Sequence, residues 1–294
     1  MTHRRAVLLM LLVTLMWSSA GVVTRQLEQA RSFEITFWRS AFNALALLLI
    51  LGALRGRALW AALRGPAVWA SGLCWAVMFT AFMVALSLTR VAHVLVTMAL
   101  GPLLTGLLAW GLLRQRIPAR TWGAIIAAGL GIAWMFGRHA GEGGSLLGVL
   151  VALGVPLAAA CNWCLLQYQR SRGGQGGDML PAVLLGAVLS ALATLPLAWP
   201  LQAGAHDLAL LAGLGLFQLA IPCLLAVRLT RELPGHELAL LGLTETLLGV
   251  LWAWLFAGES PGSAALQGGA LVLAALVCNE VLAPSNVSSE PENA

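Results

Sequence analysis

Apolar positions in this chain come in blocks about 20 residues long, separated by short polar segments. Ten blocks can be marked, at approximately residues 6–24, 34–54, 66–88, 92–113, 121–137, 147–168, 179–200, 207–228, 238–256 and 262–282. Each is long enough to cross the roughly 30 Å hydrocarbon core of a bilayer as a helix. The pattern predicts an all-α polytopic membrane protein of ten transmembrane helices. The connections are short and leave no room for a soluble domain. Gly-rich segments at 141–145 and 173–178 are the low-complexity stretches, and 284–294 is a polar tail predicted to be disordered.

Composition agrees with the blocks. Of 294 residues, 10% are charged and 60% are apolar, and the mean hydropathy is +0.86. A soluble domain could not hide that much apolar surface, and an ordinary soluble protein carries about 25% charged residues. All 17 basic residues are Arg. The net charge of +5 is not a nucleic-acid signal here, because the arginines sit between apolar runs and form no patch. The five cysteines (Cys74, Cys161, Cys164, Cys223 and Cys278) lie inside apolar runs. The Cys161/Cys164 pair lacks the further ligands of a zinc site, so all five read as buried thiols.

Orientation follows from the arginines. With the N-terminus in the cytoplasm, Arg4, Arg5, Arg55, Arg57, Arg64, Arg114, Arg116, Arg120, Arg170, Arg172, Arg228 and Arg231 fall on that side. Arg25, Arg31, Arg90 and Arg138 fall opposite, and Arg39 lies within a span. The positive-inside rule then places both termini in the cytoplasm. The start of the chain has the outline of a signal peptide, His3-Arg4-Arg5 ahead of an apolar run and Ser18-Ser19-Ala20. The run continues through Val22-Val23 to Arg25, which reads as a retained first span.

The chain also resembles itself at an offset of 143 residues. Residues 100–113 lie over 243–256 with five of 14 positions identical, four Leu pairs and Gly106 with Gly249. Each segment is followed by a tight turn and a Gly-rich span, and each is preceded by Leu-Thr-Arg. The repeat divides the chain into five-helix units at 1–138 and 147–283, joined by a linker at 139–146. Five is odd, so the units would have opposite orientations, as in many secondary transporters whose substrate site lies at mid-membrane between the repeats.

Polar groups inside the spans are few, and an ionisable residue in a span is costly unless paired or functional. Three readings fit Arg39: a structural tie to carbonyls or a carboxylate, an interfacial anchor, or a substrate contact. Glu245 reads as a structural hydrogen-bonding group, or as a cavity carboxylate that exchanges protons or meets an ammonium. His93 reads as a packed or interfacial histidine, with a proton relay as the alternative, and Glu237 and Glu280 as interfacial. Pro102, Pro156 and Pro222 each free a backbone carbonyl and can kink a span. Gly101-Pro102 is a candidate flexing point. The Gly-rich spans at 121–137 and 262–282 read as close-packing helices.

Trp38, Trp60, Trp122 and Trp199 sit near span ends, as in an interfacial belt. Trp17, Trp75, Phe79, Phe82, Trp163 and Trp252 lie deeper. Trp75, Phe79 and Phe82 share one helix face, which is either lipid-facing or core bulk, or an aromatic cavity wall. No nucleotide-binding loop, metal-protease motif or nucleophile elbow is present, so the chain is not read as an enzyme. No cofactor or metal is implied. The expected partners are a small-molecule substrate and the lipid bilayer, with no nucleic acid, and a monomer suffices.

Several segments together resemble the drug/metabolite transporter superfamily in its EamA-type branch. They are Leu15-Met16-Trp17-Ser18-Ser19, Phe37-Trp38-Arg39-Ser40-Ala41, Gly101-Pro102-Leu103-Leu104-Thr105-Gly106 and Ala257-Gly258-Glu259. The resemblance runs from about residue 6 to 282 and looks closest to bacterial inner-membrane aromatic amino acid exporters. It implies export of aromatic and other amino acids and related metabolites by alternating access. It also implies a central cavity at Trp17, Ser18, Phe79, Met98, Asn162, Trp163, Gln218, Thr244 and Glu245; the reading of the spans themselves gives Arg39, Gly101, Pro102, Pro156 and Pro222 as structural or gating candidates. The turn at Arg114-Gln115-Arg116 departs from the pattern's Gly-Glu, which appears only at Gly258-Glu259. The rival within the fold is an exporter of drugs, organic cations or nucleotide-type metabolites. Proton coupling and uncoupled efflux both remain open.

Overall fold

Helices dominate the structure for a solvent reason: in lipid a helix satisfies every internal backbone donor and acceptor within one segment. The computed structural model describes residues 3–113, 119–137, 145–171, 178–229, 232–233 and 235–281. Among them every regular element is helical. In order these are α1 (His3–Ser18), α2 (Ala20–Thr24), α3 (Ser32–Arg55), α4 (Arg57–Ala62), α5 (Pro66–Leu88), α6 (Val91–Met98), α7 (Gly101–Leu113) and α8 (Ala119–Gly137). Then come α9 (Leu146–Ser171), α10 (Leu180–Ala198), α11 (Ala205–Gly213), a π-helical segment (Leu214–Ala220), α12 (Ile221–Leu229), α13 (Gly235–Phe256) and α14 (Ser263–Val281). Seven described helices are long and apolar enough to cross a membrane. Three shorter apolar stretches, Trp122–Gly131, Thr244–Phe256 and Ser263–Ala275, lie in α8, α13 and α14.

Every apolar block marked in the sequence falls on helix, but three are not uniform. The first turns at Ser19 between α1 and α2. The 92–113 block breaks at Ala99-Leu100, just ahead of Gly101-Pro102. The 207–228 block stays helical but widens into the π segment ahead of Pro222. Pro156, by contrast, sits inside an uninterrupted α9. The linker expected at 139–146 ends sooner, since α9 begins at Leu146; residues 139–144 and the tail 284–294 lie outside the described residues, as do the side chains of Glu237 and Glu280.

The helices interlock across the chain. α5 packs along α9 and α10, α3 along α10 and the π segment, α1 along α12 and α13, and α8 along α14. At this last contact a Cβ on Gly131 would stand 2.8 Å from the Gly268 carbonyl oxygen. Two backbones meet there, as small residues allow.

The outer surface is apolar. Leu49, Leu73, Leu130, Leu192, Phe217 and Trp254 are all more than half exposed, and only a lipid environment accommodates so extensive an apolar exterior. Two sequence expectations change as a result. Cys161 and Cys278 are exposed rather than buried, because a thiol facing lipid needs no protein cover. Trp60, Trp122 and Trp199 are exposed, but Trp38 points inward, stacked on Phe42 with centroids 5.8 Å apart.

Candidate functional site

Arg39 lies seven residues into α3, about 10 Å along the helix axis. It is 1% exposed, which removes the interfacial-anchor reading. Its partner is Gln218, 179 residues away. The Gln218 side-chain oxygen accepts from Arg39 Nη2 at 2.8 Å and Nε at 3.2 Å. The Gln218 amide nitrogen donates to the Trp17 carbonyl at 3.3 Å, tying α1 to the same point. The Phe82 ring centroid is 5.6 Å from the guanidinium carbon, within cation–π range.

The local structure that presents Gln218 follows from proline chemistry. Pro222 has no N–H, and its ring displaces the carbonyl four residues earlier, which belongs to Gln218. The helix responds by widening over Leu214–Ala220; single π turns are common at functional sites. Gly215 lets this segment reach α3. A Cβ there would stand 2.7 Å from Phe42 Cβ, 2.8 Å from the Asn43 nitrogen and 3.0 Å from the Arg39 carbonyl oxygen.

The guanidinium is incompletely satisfied. Among the described residues, buried Nη1 makes no hydrogen bond, and neither side-chain polar atom of Asn43, one turn further along α3, has a partner. Gln218 supplies oxygen but no charge. Glu245 of α13, half-buried, lies within electrostatic reach of the guanidinium. A buried cation with one free nitrogen and a nearby carboxylate, beside Phe82, can hold both ends of a small zwitterion.

The other sequence-predicted residues divide among separate places. Trp17 and Gln218 meet at Arg39 through hydrogen bonds, and Met98 packs against the cluster containing Phe82. Ser18 accepts from Trp252 Nε1 at 3.1 Å and donates to the Leu15 carbonyl at 2.8 Å. Asn162 accepts from Ser71 at 2.6 Å, between α9 and α5. Phe79 is buried beside Trp75, with centroids 5.5 Å apart. With Phe82 also buried, this aromatic face is interior and not lipid-facing. Trp163 and Thr244 are half-buried. His93 is buried, with Nδ1 3.1 Å from Thr89 Oγ1. Gly101 lies beside Pro156, and Pro102 follows the break in the backbone.

Phe82 was legible only as one of an aromatic face, and Trp252 only as a deep aromatic. Asn43 and the chain of hydroxyls Ser40–Ser190–Thr80, each step 2.9 Å, gave no signal in the sequence. Among the described residues no group of three His, Cys, Asp or Glu could hold a metal ion. A cleft of about 250 Å³ lies at the start of α3, lined by Arg31, Glu34, Trp199 and Gln202, and does not include Arg39.

Comparison with known proteins places this arrangement. The model of the EamA-like transporter family matches the chain twice, over residues 4–137 and 146–280. No curated protein matches it. A solved crystal structure is similar over 96% of this chain and 98% of its own, with a TM-score of 0.64 and 21% sequence identity, a likeness of fold alone. The two family matches take in the helices that carry Arg39 and Trp17 on one side and Gln218 and Glu245 on the other. This multi-pass membrane protein therefore belongs to the EamA-like transporter family, whose members move small solutes across membranes.

Proposed function

We propose that the chain exports amino acids, aromatic ones and others, across the bacterial inner membrane. In this reading it has ten spans in two inverted repeats, with both termini cytoplasmic, and works by alternating access. One observation carries the substrate class: the buried Arg39 Nη1, which has no hydrogen-bond partner among the described residues, with the Glu245 carboxyl within electrostatic reach. Buried charges are normally paired and fully hydrogen-bonded. A substrate carboxylate would complete Arg39, its ammonium would balance Glu245, and Trp17, Phe82 and Met98 would flank an apolar side chain. The likeness of several motifs to aromatic amino acid exporters points the same way.

The test is uptake of labelled phenylalanine into proteoliposomes holding only this protein, with and without a pH gradient. Phenethylamine lacks the carboxylate and phenylpropionate lacks the ammonium. Saturable uptake is expected, with each analogue competing at least about tenfold more weakly than phenylalanine, the scale of one lost charged contact. Phenethylamine competing as well as phenylalanine would instead establish the organic-cation reading. A second comparison uses Glu245→Gln: unchanged pH dependence of uptake removes Glu245 as a proton site.

A further inference from the structure

One end of the molecule is joined by three carboxylates, each reaching from one family-matched segment to the other. Asp207, in the first turn of α11, accepts from three successive backbone amides: Glu28 at 3.0 Å, Gln29 at 2.8 Å and Ala30 at 2.7 Å. Glu34, in the first turn of α3, accepts from the amides of Gln202 at 2.7 Å and Ala203 at 2.8 Å. These two side chains are 1% and 2% exposed. Each is a covered carboxylate holding two or three amides of the other segment at once, so releasing either breaks several charge-assisted hydrogen bonds together, and this side is a fixed joint.

The third carboxylate is held differently. Glu259 Oε1 pairs with Arg25 Nη2 at 3.0 Å, and Oε2 accepts from the Val91 amide at 3.0 Å. Arg25 donates in turn to the Leu86 carbonyl at 2.9 Å and the Thr89 carbonyl at 3.0 Å. The corner between α5 and α6 is thus gripped on both sides. A cation sits on the last carbonyls of α5 and an anion on the first amide of α6, each favourable to its helix dipole. The grip is open to water, with Arg25 and Glu259 side chains 30% and 18% exposed. Its loop is flanked by two glycines of positive φ, Gly258 at 64° and Gly262 at 68°. Exposed ion pairs of this kind exchange for water at little cost.

The element so gripped is jointed at its other end. α6 spans only Val91–Met98 and stops at Ala99-Leu100, after which α7 begins. Its inner face, Val94 and Leu95, is buried, and Leu95 fills the space left by the missing side chain of Gly249. Met98, at the joint, packs on the Phe82 cluster.

We infer that Arg25 and Glu259 form a releasable clamp on the α5–α6 corner, and that its release lets α6 swing about Ala99–Gly101 and open the central site at that end. Asp207 and Glu34 stay closed and serve as the pivot. The inference rests on the alternating-access reading but not on any substrate, and Arg25 and Glu259 act through α6 as positioning residues.

The test is thiol labelling of Leu95→Cys in the full chain with the five native cysteines replaced, using a membrane-impermeant maleimide on each side separately. Glu259→Ala and Arg25→Ala are each expected to raise the labelling rate about fivefold or more from the Glu259 side alone, the scale of losing an exposed pair and its hydrogen bonds. Asp178→Asn, which removes the Arg55 pair at the opposite end of α3, should leave that rate unchanged. Unchanged labelling in both clamp variants, or an equal rise from both sides, overturns the proposal. If Glu259→Ala does not fold, Glu259→Gln keeps an acceptor for Val91 and decides by the same criteria. The exchanged pair Arg25→Glu with Glu259→Arg restores the ion pair but can grip neither the carbonyls nor the amide. It should label like the single variants, and a return to the parental rate would overturn the clamp. Failure of amino acid uptake leaves this readout untouched, and a failed labelling test leaves the uptake result standing.

Discussion

Two helices in this protein meet a proline and answer it differently. In α6–α7 the proline is Pro102, in the first turn of α7, and Met98, four residues before it, is the last residue of α6. The chain turns there, with the Leu100 amide reaching back only to Thr97, at 3.2 Å. In α11–α12 the proline is Pro222 and the displaced carbonyl belongs to Gln218, yet the helix continues by widening into a π segment. The break yields a joint. The wide turn yields a socket, because the extra residue rotates Gln218 toward Arg39 without freeing the helix. Pro156, in unbroken α9, is a third outcome. The same residue type stands at a joint, at a socket and in an unbroken helix.

The socket can be tested hardest. Gln218→Leu leaves the Arg39 charge buried without its oxygen and should cost about 1.5–3 kcal/mol of stability, the scale of hydrogen bonding to a charged group, read as a lower thermal unfolding temperature in detergent. Adding Arg39→Leu should recover much of that loss, since apolar replacement of a buried polar pair is often neutral, while phenylalanine uptake stays abolished. Stability and transport then separate. Without that recovery, the Arg39–Gln218 contact would not be what holds α3 to the π segment.

A smaller effect is expected from Gly215→Val, which places a branched side chain against Phe42 and the α3 backbone. Overpacking of this sort costs about 1–3 kcal/mol. Gly213→Ala, two residues earlier, meets nothing within 4 Å and should be neutral or slightly stabilising. Equal unfolding temperatures for the two variants would mean that the π segment does not depend on close approach to α3.

Hydropathy made the helices legible, because a backbone in lipid has few alternatives to a helix. It did not reveal which face of each helix is inward. In water the two faces of a helix differ in polarity. Here both face apolar surroundings, and α5 buries Leu86 while exposing Leu73 with no difference in residue type. The misjudged cysteines and Trp38 follow from that. Arg39 was visible as a rare ionisable group in a span and Gln218 only through the family resemblance, and their pairing spans 179 residues and leaves no local period. Glu34 and Asp207 stand in the first turns of their helices, where an acid is ordinary. That each serves the other segment's loop is a tertiary fact. The prolines came closest to a missed signal, since Met98 and Gln218 both stand four residues before one.

The joint gives the smallest effect and the most specific one. Pro102→Ala supplies the amide hydrogen that could bond the Met98 carbonyl and let α6 run on into α7. One more backbone hydrogen bond is worth about 0.5–1.5 kcal/mol, so the variant should be at least as stable as the parent. If α6 moves as a lever, a continuous helix is harder to swing, and phenylalanine uptake should slow in maximal rate with little change in half-saturation, because no group at Arg39 has changed. Pro156→Ala is the matched control, since α9 is already continuous across that position and gains a bond without losing a joint. A Pro102→Ala variant that transports at the parental rate would make the break a static kink, and motion would then have to be sought at the π segment instead.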